Sequence, residues 1–301
     1  MRISHCTFSG LLAAVALASQ ETTIRTDVNL VQLQVTVTDA QGHNVSGLRK
    51  EAFQLLVDNT PQPITVFQGE DAPVTAGIVI DNSSSMTPKV KEVVAAGMAF
   101  ASASNPKDQM FVVHFTDRPR LGLPEGKRFT GDVAELEKAV EAFHLGGTTA
   151  FYDALMMAES QLQWAVYPRK VLLTITDGGD NSSHASLKDV LSAAAKPGIV
   201  VYSVGIFDEN NRDRNPEVLS DIAEETGGHA FFPKHVSDVT NICLTIAREI
   251  RSQYTLGFPG AEDGQYHRIR VTATDIRSGP LEVHTRAGYF ALKSSTANRQ
   301  K

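Results

Sequence analysis

The stretch TAGIVIDNSSS, residues 75–85, predicts the fold of the central part of the chain. Its first six residues are almost all apolar, which is typical of a strand covered on both faces, as in a parallel sheet. Similar runs recur as MFVVHF, VLLTITD and IVVYSVGIF, and helical patterns separate them up to about residue 250. Alternating strands and helices predict an α/β fold, a doubly wound and mostly parallel sheet with helices on both faces.

The sequence on either side of this region has the two-residue period of antiparallel strands. In VQLQVTVT, residues 31–38, apolar residues alternate with Gln and Thr, and HRIRVTAT, residues 267–274, alternates in the same way. Such strands bury one face. Because either flank alone would leave open sheet edges, we expect residues 19–73 and 251–293 to form one β-sandwich-like domain, into which an α/β domain of residues 74–250 is inserted. Two separate hairpins packed on the α/β body are the alternative.

The first 18 residues have the pattern of a secretory signal peptide. Arg2 precedes an apolar stretch, residues 8–18, that ends in an Ala-Leu-Ala site. We therefore expect cleavage after Ala18 and export to the periplasm, the cell surface or the medium. Cys243 would then be the only cysteine left, so no internal disulfide forms and the thiol is expected to be a small buried hydrophobe.

The composition argues against several classes of protein. With 28 Lys and Arg against 34 Asp and Glu, the 301-residue chain has a net charge of -6 and lacks the basic character of a nucleic-acid binder. No apolar run after the signal peptide has the length of a membrane-spanning helix. The sequence also has no zinc-type spacing of His or Cys and no P-loop. The polar loops that follow the predicted strands therefore form the candidate site.

Oxygen-bearing side chains follow the predicted strands at one edge of the sheet. Asp81, Ser83 and Ser85 follow the first strand, Asp177 follows VLLTIT, and a Gly-Gly-Thr-Thr loop, residues 146–149, lies between them in sequence. The carboxyl ends of parallel strands open onto a shared crevice. Oxygen ligands suit a hard cation, and we expect Mg2+, with Mn2+ or Ca2+ as alternatives.

The order of these loops resembles the metal-ion-dependent adhesion site of von Willebrand factor type A (VWA) domains, with strand-DxSxS, a GGT-type threonine and strand-TDG. The resemblance runs over about residues 74–250, and RSQYTLGF and RAGYF after it resemble exported bacterial VWFA-related domain proteins. It implies a metal site of Asp81, Ser83, Ser85, Asp177 and one threonine. The spacing to the following Tyr-Asp-Ala-Leu favours Thr149 over Thr148. In the family the hydroxyls bind the cation directly, while the aspartates often act through water.

The resemblance implies an exported, non-catalytic protein in adhesion or assembly, whose bound cation accepts an Asp or Glu carboxylate of a partner protein. Two alternatives stay open. A serine hydrolase would use a serine of residues 83–85 with a histidine base, although the G-x-S-x-G elbow is absent. A structural assembly protein would leave the metal site unoccupied.

Weaker patterns give local predictions. Residues 81–85 could be no more than a turn leading into a helix, with Thr87 as its N-cap and Pro88 as its first residue. Residues 59–61 predict a break between two strands. Trp164 falls on a helical pattern and is predicted to be core. Residues 180–182 are predicted to be a solvated loop or a helix entry rather than further ligands.

Overall fold

The computed structural model describes residues 29–293, except for residue 70 and residues 196–197, 208–213 and 276–278. The predicted signal peptide and the predicted tail, residues 294–301, lie outside the described residues. Within the described part, no helix has both the length and the apolar character needed to cross a membrane. The strands are β1 (Leu30–Thr38), β2 (Phe53–Val57), β3 (Thr60–Gln62), β4 (Val66–Gln68), β5 (Thr75–Asp81), β6 (Gln109–Phe115), β7 (Pro119–Leu121), β8 (Lys170–Thr176), β9 (Ile199–Gly205), β10 (Ala230–Phe231), β11 (Tyr254–Pro259), β12 (Tyr266–Ala273), β13 (Glu282–His284) and β14 (Gly288–Phe290). The α-helices are α1 (Val90–Ala103), α2 (Val133–Glu141), α3 (Phe151–Leu162), α4 (Leu187–Ala194), α5 (Pro216–Thr226) and α6 (Val239–Ser252).

The centre of the chain forms a six-stranded sheet in the order β10-β9-β8-β5-β6-β7. All neighbouring strands run parallel except β7, which pairs antiparallel with β6. Strand β5 is buried along its whole length, as its nearly continuous apolar sequence predicts. Apolar side chains of the strands and helices share one core. The predicted α/β fold is confirmed, with one antiparallel strand at its edge.

The two flanks together form two four-stranded antiparallel sheets, in the orders β13-β1-β11-β4 and β14-β12-β2-β3. Each sheet contains strands from both ends of the chain. One apolar cluster joins the two sheets and includes Leu33 and Tyr254 from the first and Leu55 and Tyr289 from the second. The sandwich built from both flanks is therefore confirmed, and two separate hairpins are excluded. The domain boundaries given above stay a prediction.

The polar face of β1 is buried as well, although its alternating sequence predicts burial of one face only. Gln34 and Thr36 both lie inside the protein. Thr36 Oγ1 donates to Glu249 Oε1 on α6 at 3.2 Å. Just after α6, Gln253 Nε2 donates to Thr36 Oγ1 at 3.2 Å and to Tyr202 Oη on β9 at 2.8 Å. The α/β unit covers this face of the sandwich, and Thr36 pairs with it across the junction. Gln34 bonds within the sandwich instead, where its Oε1 accepts from Thr255 Oγ1 at 2.9 Å.

The predicted break at residues 59–61 is wrong in its extent. Thr60 and Pro61 belong to strand β3, and the turn before it is made by Asp58 and Asn59. These two residues have positive φ angles of 48° and 64°, which Asp and Asn adopt more readily than most residues. Proline is tolerated in β3 because this strand is the edge of its sheet.

Two further local predictions are wrong. Thr87 is not the N-cap of an α-helix, because the chain first forms a 3-10 helix over Ser84–Lys89 and α1 begins only at Val90. Trp164 is not a core residue, because α3 ends at Leu162 and the indole lies beyond the packed face, 54% exposed. Its ring is covered instead by the guanidinium of Arg128, 4.1 Å from the ring centroid.

Candidate metal site

The first loop of the candidate site lies at the carboxyl end of β5. Strand β6 lies on one side of β5, and β8, β9 and β10 follow on the other side. The strand order therefore reverses at β5, and a crevice opens at the carboxyl end of a strand at such a point. Asp81, the last residue of β5, is 2% exposed, Ser83 is buried and Ser85 is half-buried. Ser83 N–H donates to Asp81 Oδ1 at 2.9 Å, and the Oγ atoms of Ser83 and Ser85 are 3.1 Å apart. The structure thus brings these three predicted residues together.

Asp81 also contacts the end of the neighbouring strand β8, through the threonine of the TDG motif, which is not among the predicted ligands. Thr176 Oγ1 donates to Asp81 Oδ2 at 2.6 Å and accepts from Gly178 N–H at 3.0 Å. Burial raises the pKa of Asp81 to about 6; hydrogen bonds from Ser83 and Thr176 oppose the rise, and the charge of Asp177 adds to it. Two buried carboxylates that repel each other form a site that a cation would stabilise.

The Gly-Gly-Thr-Thr loop is hydrogen-bonded to the first loop. Gly146 N–H donates to Asn82 O at 2.9 Å, and Gly147 O accepts from the Ser84 hydroxyl at 3.1 Å. Both glycines have positive φ angles, 110° and 84°, in which other residues are strained. The loop turns sharply at these glycines, and the second of the two threonines that follow lies inside the protein. Thr149 is 6% exposed, so its position favours it over the exposed neighbouring threonine as an oxygen donor.

The loop after Asp177 holds the start of α3. Asn181 Oδ1 accepts the N–H of Thr149 at 2.9 Å, and Asp180 Oδ2 accepts the N–H of Tyr152 at 2.8 Å. The first N–H groups of a helix have no partner within the helix, and the N-cap residue of α3, an alanine, makes no side-chain cap. Residues 180 and 181 therefore cap α3 from a different loop and fix the backbone of Thr149. Of the two predictions for residues 180–182, the loop agrees with the structure and the helix entry does not, because α4 begins only at Leu187.

A buried histidine stands beside the first loop, but it does not contact the serines. The Nδ1 atom of His114 lies 2.8 Å from Asn82 Nδ2, and its Nε2 lies 2.7 Å from Ala139 O. Because a carbonyl only accepts, Nε2 donates and Nδ1 accepts. Burial lowers the pKa of His114, which favours this neutral form. In the described part of the chain no histidine hydrogen-bonds to residues 83–85, so the geometry gives the hydrolase alternative no support.

The donor atoms at this edge fit a hard divalent cation. Among the described residues of 29–293, leaving out the gaps given above, no three His, Cys, Asp or Glu side chains group as a metal site. A cation here would therefore depend on hydroxyl oxygens. Ligands about 2.0–2.1 Å from an octahedral Mg2+ lie about 3 Å from one another, which matches the 3.1 Å between the Ser83 and Ser85 oxygens. An oxygen-only donor set suits Mg2+, Ca2+ or Mn2+.

Comparisons with known proteins point to one family. The model of the von Willebrand factor type A domain matches residues 77–243, more than half of the chain. Among solved structures, von Willebrand factor type A from Catenulispora acidiphila is similar with a TM-score of 0.53 and 17% identity, covering 90% of this chain and 76% of that one. Proximal thread matrix protein 1 from the mussel byssus is similar with a TM-score of 0.50 and 16% identity, covering 60% of this chain and 49% of that one. At such identities these similarities show the fold alone. A search of curated proteins found no match.

Proposed function

Because the chain belongs to the von Willebrand factor type A domain family, we propose that it is an exported, non-catalytic module that binds a partner protein through a divalent cation, Mg2+ in the first place. The proposed ligands are Asp81, Ser83, Ser85, Thr149 and Asp177. The observation that carries this proposal is the convergence of three loops, joined by hydrogen bonds, at the carboxyl end of β5.

The donor set explains why a cation here would take a partner's carboxylate. Two aspartates balance the charge of one divalent ion, and neutral hydroxyls donate little further charge, so the ion supplies a Lewis-acidic position for an anionic oxygen. Domains of this family often bind a divalent metal at this place and are generally adhesion or assembly modules rather than enzymes. An Asp or Glu side chain of the partner is the ligand that this chemistry favours.

The metal part of the proposal is tested by calorimetric titration of the purified protein with Mg2+, Mn2+ and Ca2+. Thr149→Val and Thr148→Val form a matched pair, because both remove one hydroxyl from the same loop. We expect the affinity for Mg2+ to fall at least tenfold in Thr149→Val and to change little in Thr148→Val. The opposite order would assign the ligand to Thr148, and equal affinities in both variants and the parent would exclude a threonine ligand.

The partner part is tested by affinity capture from the native organism in Mg2+, followed by elution with EDTA. We expect a protein that is released by the chelator and is not captured by Asp81→Ala, whose circular dichroism shows a retained fold. Capture that is undiminished in EDTA would refute the metal mechanism. No metal binding in the titration together with no EDTA-released partner would favour a structural assembly protein.

The proposal also includes export and a separate role for each of the two domains. Residues 1–18 would be removed, residues 74–250 would bind the partner, and residues 19–73 with 251–293 would carry the binding domain. Sequencing the N-terminus of the protein recovered from outside the cytoplasm tests this directly. We expect the mature chain to begin at Ser19, and a chain recovered with its first 18 residues intact would contradict the signal peptide.

A further inference from the structure

A cleft of about 500 Å3 opens directly beside the candidate metal site. Asn82, Gly146 and Gly147 of the two metal-site loops form one side of it, and β7 with the residues just before it forms another. We propose that this cleft binds a segment of the partner protein that carries a second acidic side chain and an apolar side chain, next to the carboxylate at the metal. This inference rests on the proposed function and names the kind of partner that the same site selects.

The charge of the cleft favours an acidic segment. Arg118 and Arg120 both line it, and Arg118 Nε lies 3.5 Å from the carboxylate of Asp117. Arg120 is exposed and forms no ion pair with any described residue, so its positive charge is available to a carboxylate of the partner. A carboxylate that enters the cleft gains a hydrogen-bonded, charge-assisted partner in Arg120.

The apolar part of the cleft distinguishes a peptide from a simple anion. Leu121 and Leu145 line it and are 45% and 41% exposed. A phosphate group or a polyanion offers these side chains nothing to pack against, whereas an apolar residue of a peptide buries them. Cationic and apolar groups together therefore fit a segment of mixed acidic and apolar sequence.

The strand that forms the cleft wall is poorly suited to pairing with an added strand. β7 is the edge of the central sheet, and it has only three residues. Pro119 pairs opposite Phe115 and has no N–H to offer on its other side. Partner recognition here would therefore depend on side chains rather than on strand addition.

The cleft and the metal site are held at a fixed separation. His114 forms part of the cleft, and its ring joins Asn82 of the first metal loop to Ala139 O at the end of α2. A cleft of this volume is about 8 Å across, a distance that an extended chain covers in two to three residues. The two acidic residues of the partner would therefore lie within about three positions of each other.

A displayed library of random heptapeptides, selected on the full chain in Mg2+ and eluted with EDTA, tests this inference. We expect the eluted peptides to carry two acidic residues within three positions, with an apolar residue between or beside them.

Selection on Arg120→Gln should keep the EDTA-dependent recovery but lose the preference for the second acidic residue, and Arg120→Glu should select a basic residue there. Arg270→Gln, which removes an exposed arginine from β12 on the sandwich, is the matched control. A synthetic peptide of the selected sequence should bind Arg120→Gln about 3- to 10-fold more weakly, while the affinity for Mg2+ alone is unchanged.

The possible outcomes separate this inference from the proposed function. If EDTA-eluted peptides carry a single acidic residue, or if Arg120→Gln keeps the second one, the inference is overturned and the proposed function stands. If no peptide is eluted by EDTA, the proposed function fails and the inference fails with it. If Arg120→Gln abolishes self-association of the chain in sedimentation experiments and leaves the selected peptides unchanged, the cleft belongs to a second copy and the inference is overturned.

Discussion

At the scale of single residues, Thr176 is the group that orients Asp81 from the neighbouring strand. Thr176→Val keeps the shape of the side chain and removes the hydroxyl that donates to Asp81 Oδ2. Groups that orient metal ligands typically contribute 10- to 100-fold in metal affinity. We expect the affinity of Thr176→Val for Mg2+ to fall by about tenfold, measured by calorimetric titration.

Thr174→Val on the same strand is the control for this prediction. Thr174 is equally buried, and its hydroxyl bonds Ser203 at 3.1 Å instead of Asp81. Both variants lose a buried hydrogen bond, so a difference in metal affinity isolates the contact with Asp81. If the two variants bind Mg2+ alike, Thr176 has no positioning role.

The first metal loop could be predicted from sequence because its residues are contiguous and directly follow an apolar strand. The roles of Thr176 and His114 could not, because their partners lie 95 and 32 positions away. A threonine just before the aspartate at the end of a buried strand is the one local signal that could have identified Thr176. For His114 the sequence gives only a strand position.

At the scale of elements, α3 depends on a cap from another loop. Asp180 accepts the N–H of Tyr152 in the first turn and the hydroxyl of Ser183. A capping acceptor typically stabilises a protein by about 1 kcal/mol, and a carboxylate also interacts favourably with the helix dipole. We expect Asp180→Ala to lower the free energy of unfolding by about 1 kcal/mol, measured by urea denaturation without added metal.

Two variants control for this effect. Asp180→Asn keeps an acceptor and loses only the charge, so its loss should be smaller. Asp221→Ala removes an exposed aspartate from the middle of α5 and should not destabilise the protein. An unchanged free energy of unfolding in Asp180→Ala would contradict the capping role.

At the scale of the whole molecule, the split sandwich could be predicted because alternation marks both flanks and neither covers its own edges. The contact between the sandwich and the α/β unit could not. Gln34 and Thr36 are polar residues on an alternating strand, and such residues usually face water. Thr36 is buried because Glu249 on α6 and Gln253 just after it supply its hydrogen-bond partners, and the Gln34 side-chain oxygen accepts from Thr255 Oγ1 on β11. Both contacts depend on tertiary position alone.

Two stacked histidines lie at this junction, and we expect them to make the stability of the whole molecule depend on pH. The rings of His229 and His284 lie 3.9 Å apart, centroid to centroid, and His229 Nε2 is 3.6 Å from Glu249 Oε1. Burial lowers the pKa of both histidines, and the charge of His229 lowers that of His284 further. Glu224 acts against the decrease for both histidines, and for His284 so do Glu249 and a hydrogen bond to Gly228 O.

Because the pKa of both histidines is lower in the folded chain, the unfolded chain takes up protons first as the pH falls. Their contribution to stability is complete above the ordinary histidine pKa of about 6.5 and is lost below it. We expect the free energy of unfolding to decrease from pH 8 to pH 5.5, by up to about 1.4 kcal/mol per pH unit for each additional proton taken up. In the double variant His229→Phe, His284→Phe the decrease should be smaller, whereas His235→Gln, which removes an exposed imidazole, should follow the parent. His267 and Asp81 have the opposite sign, since hydrogen bonds to Asp263 and Asp58 raise the pKa of His267 and burial raises that of Asp81 to about 6. Both groups are present in all three proteins and cancel in their differences. If the free energy of unfolding changes with pH in the same way in the parent and the double variant, the two histidines do not cause the pH dependence.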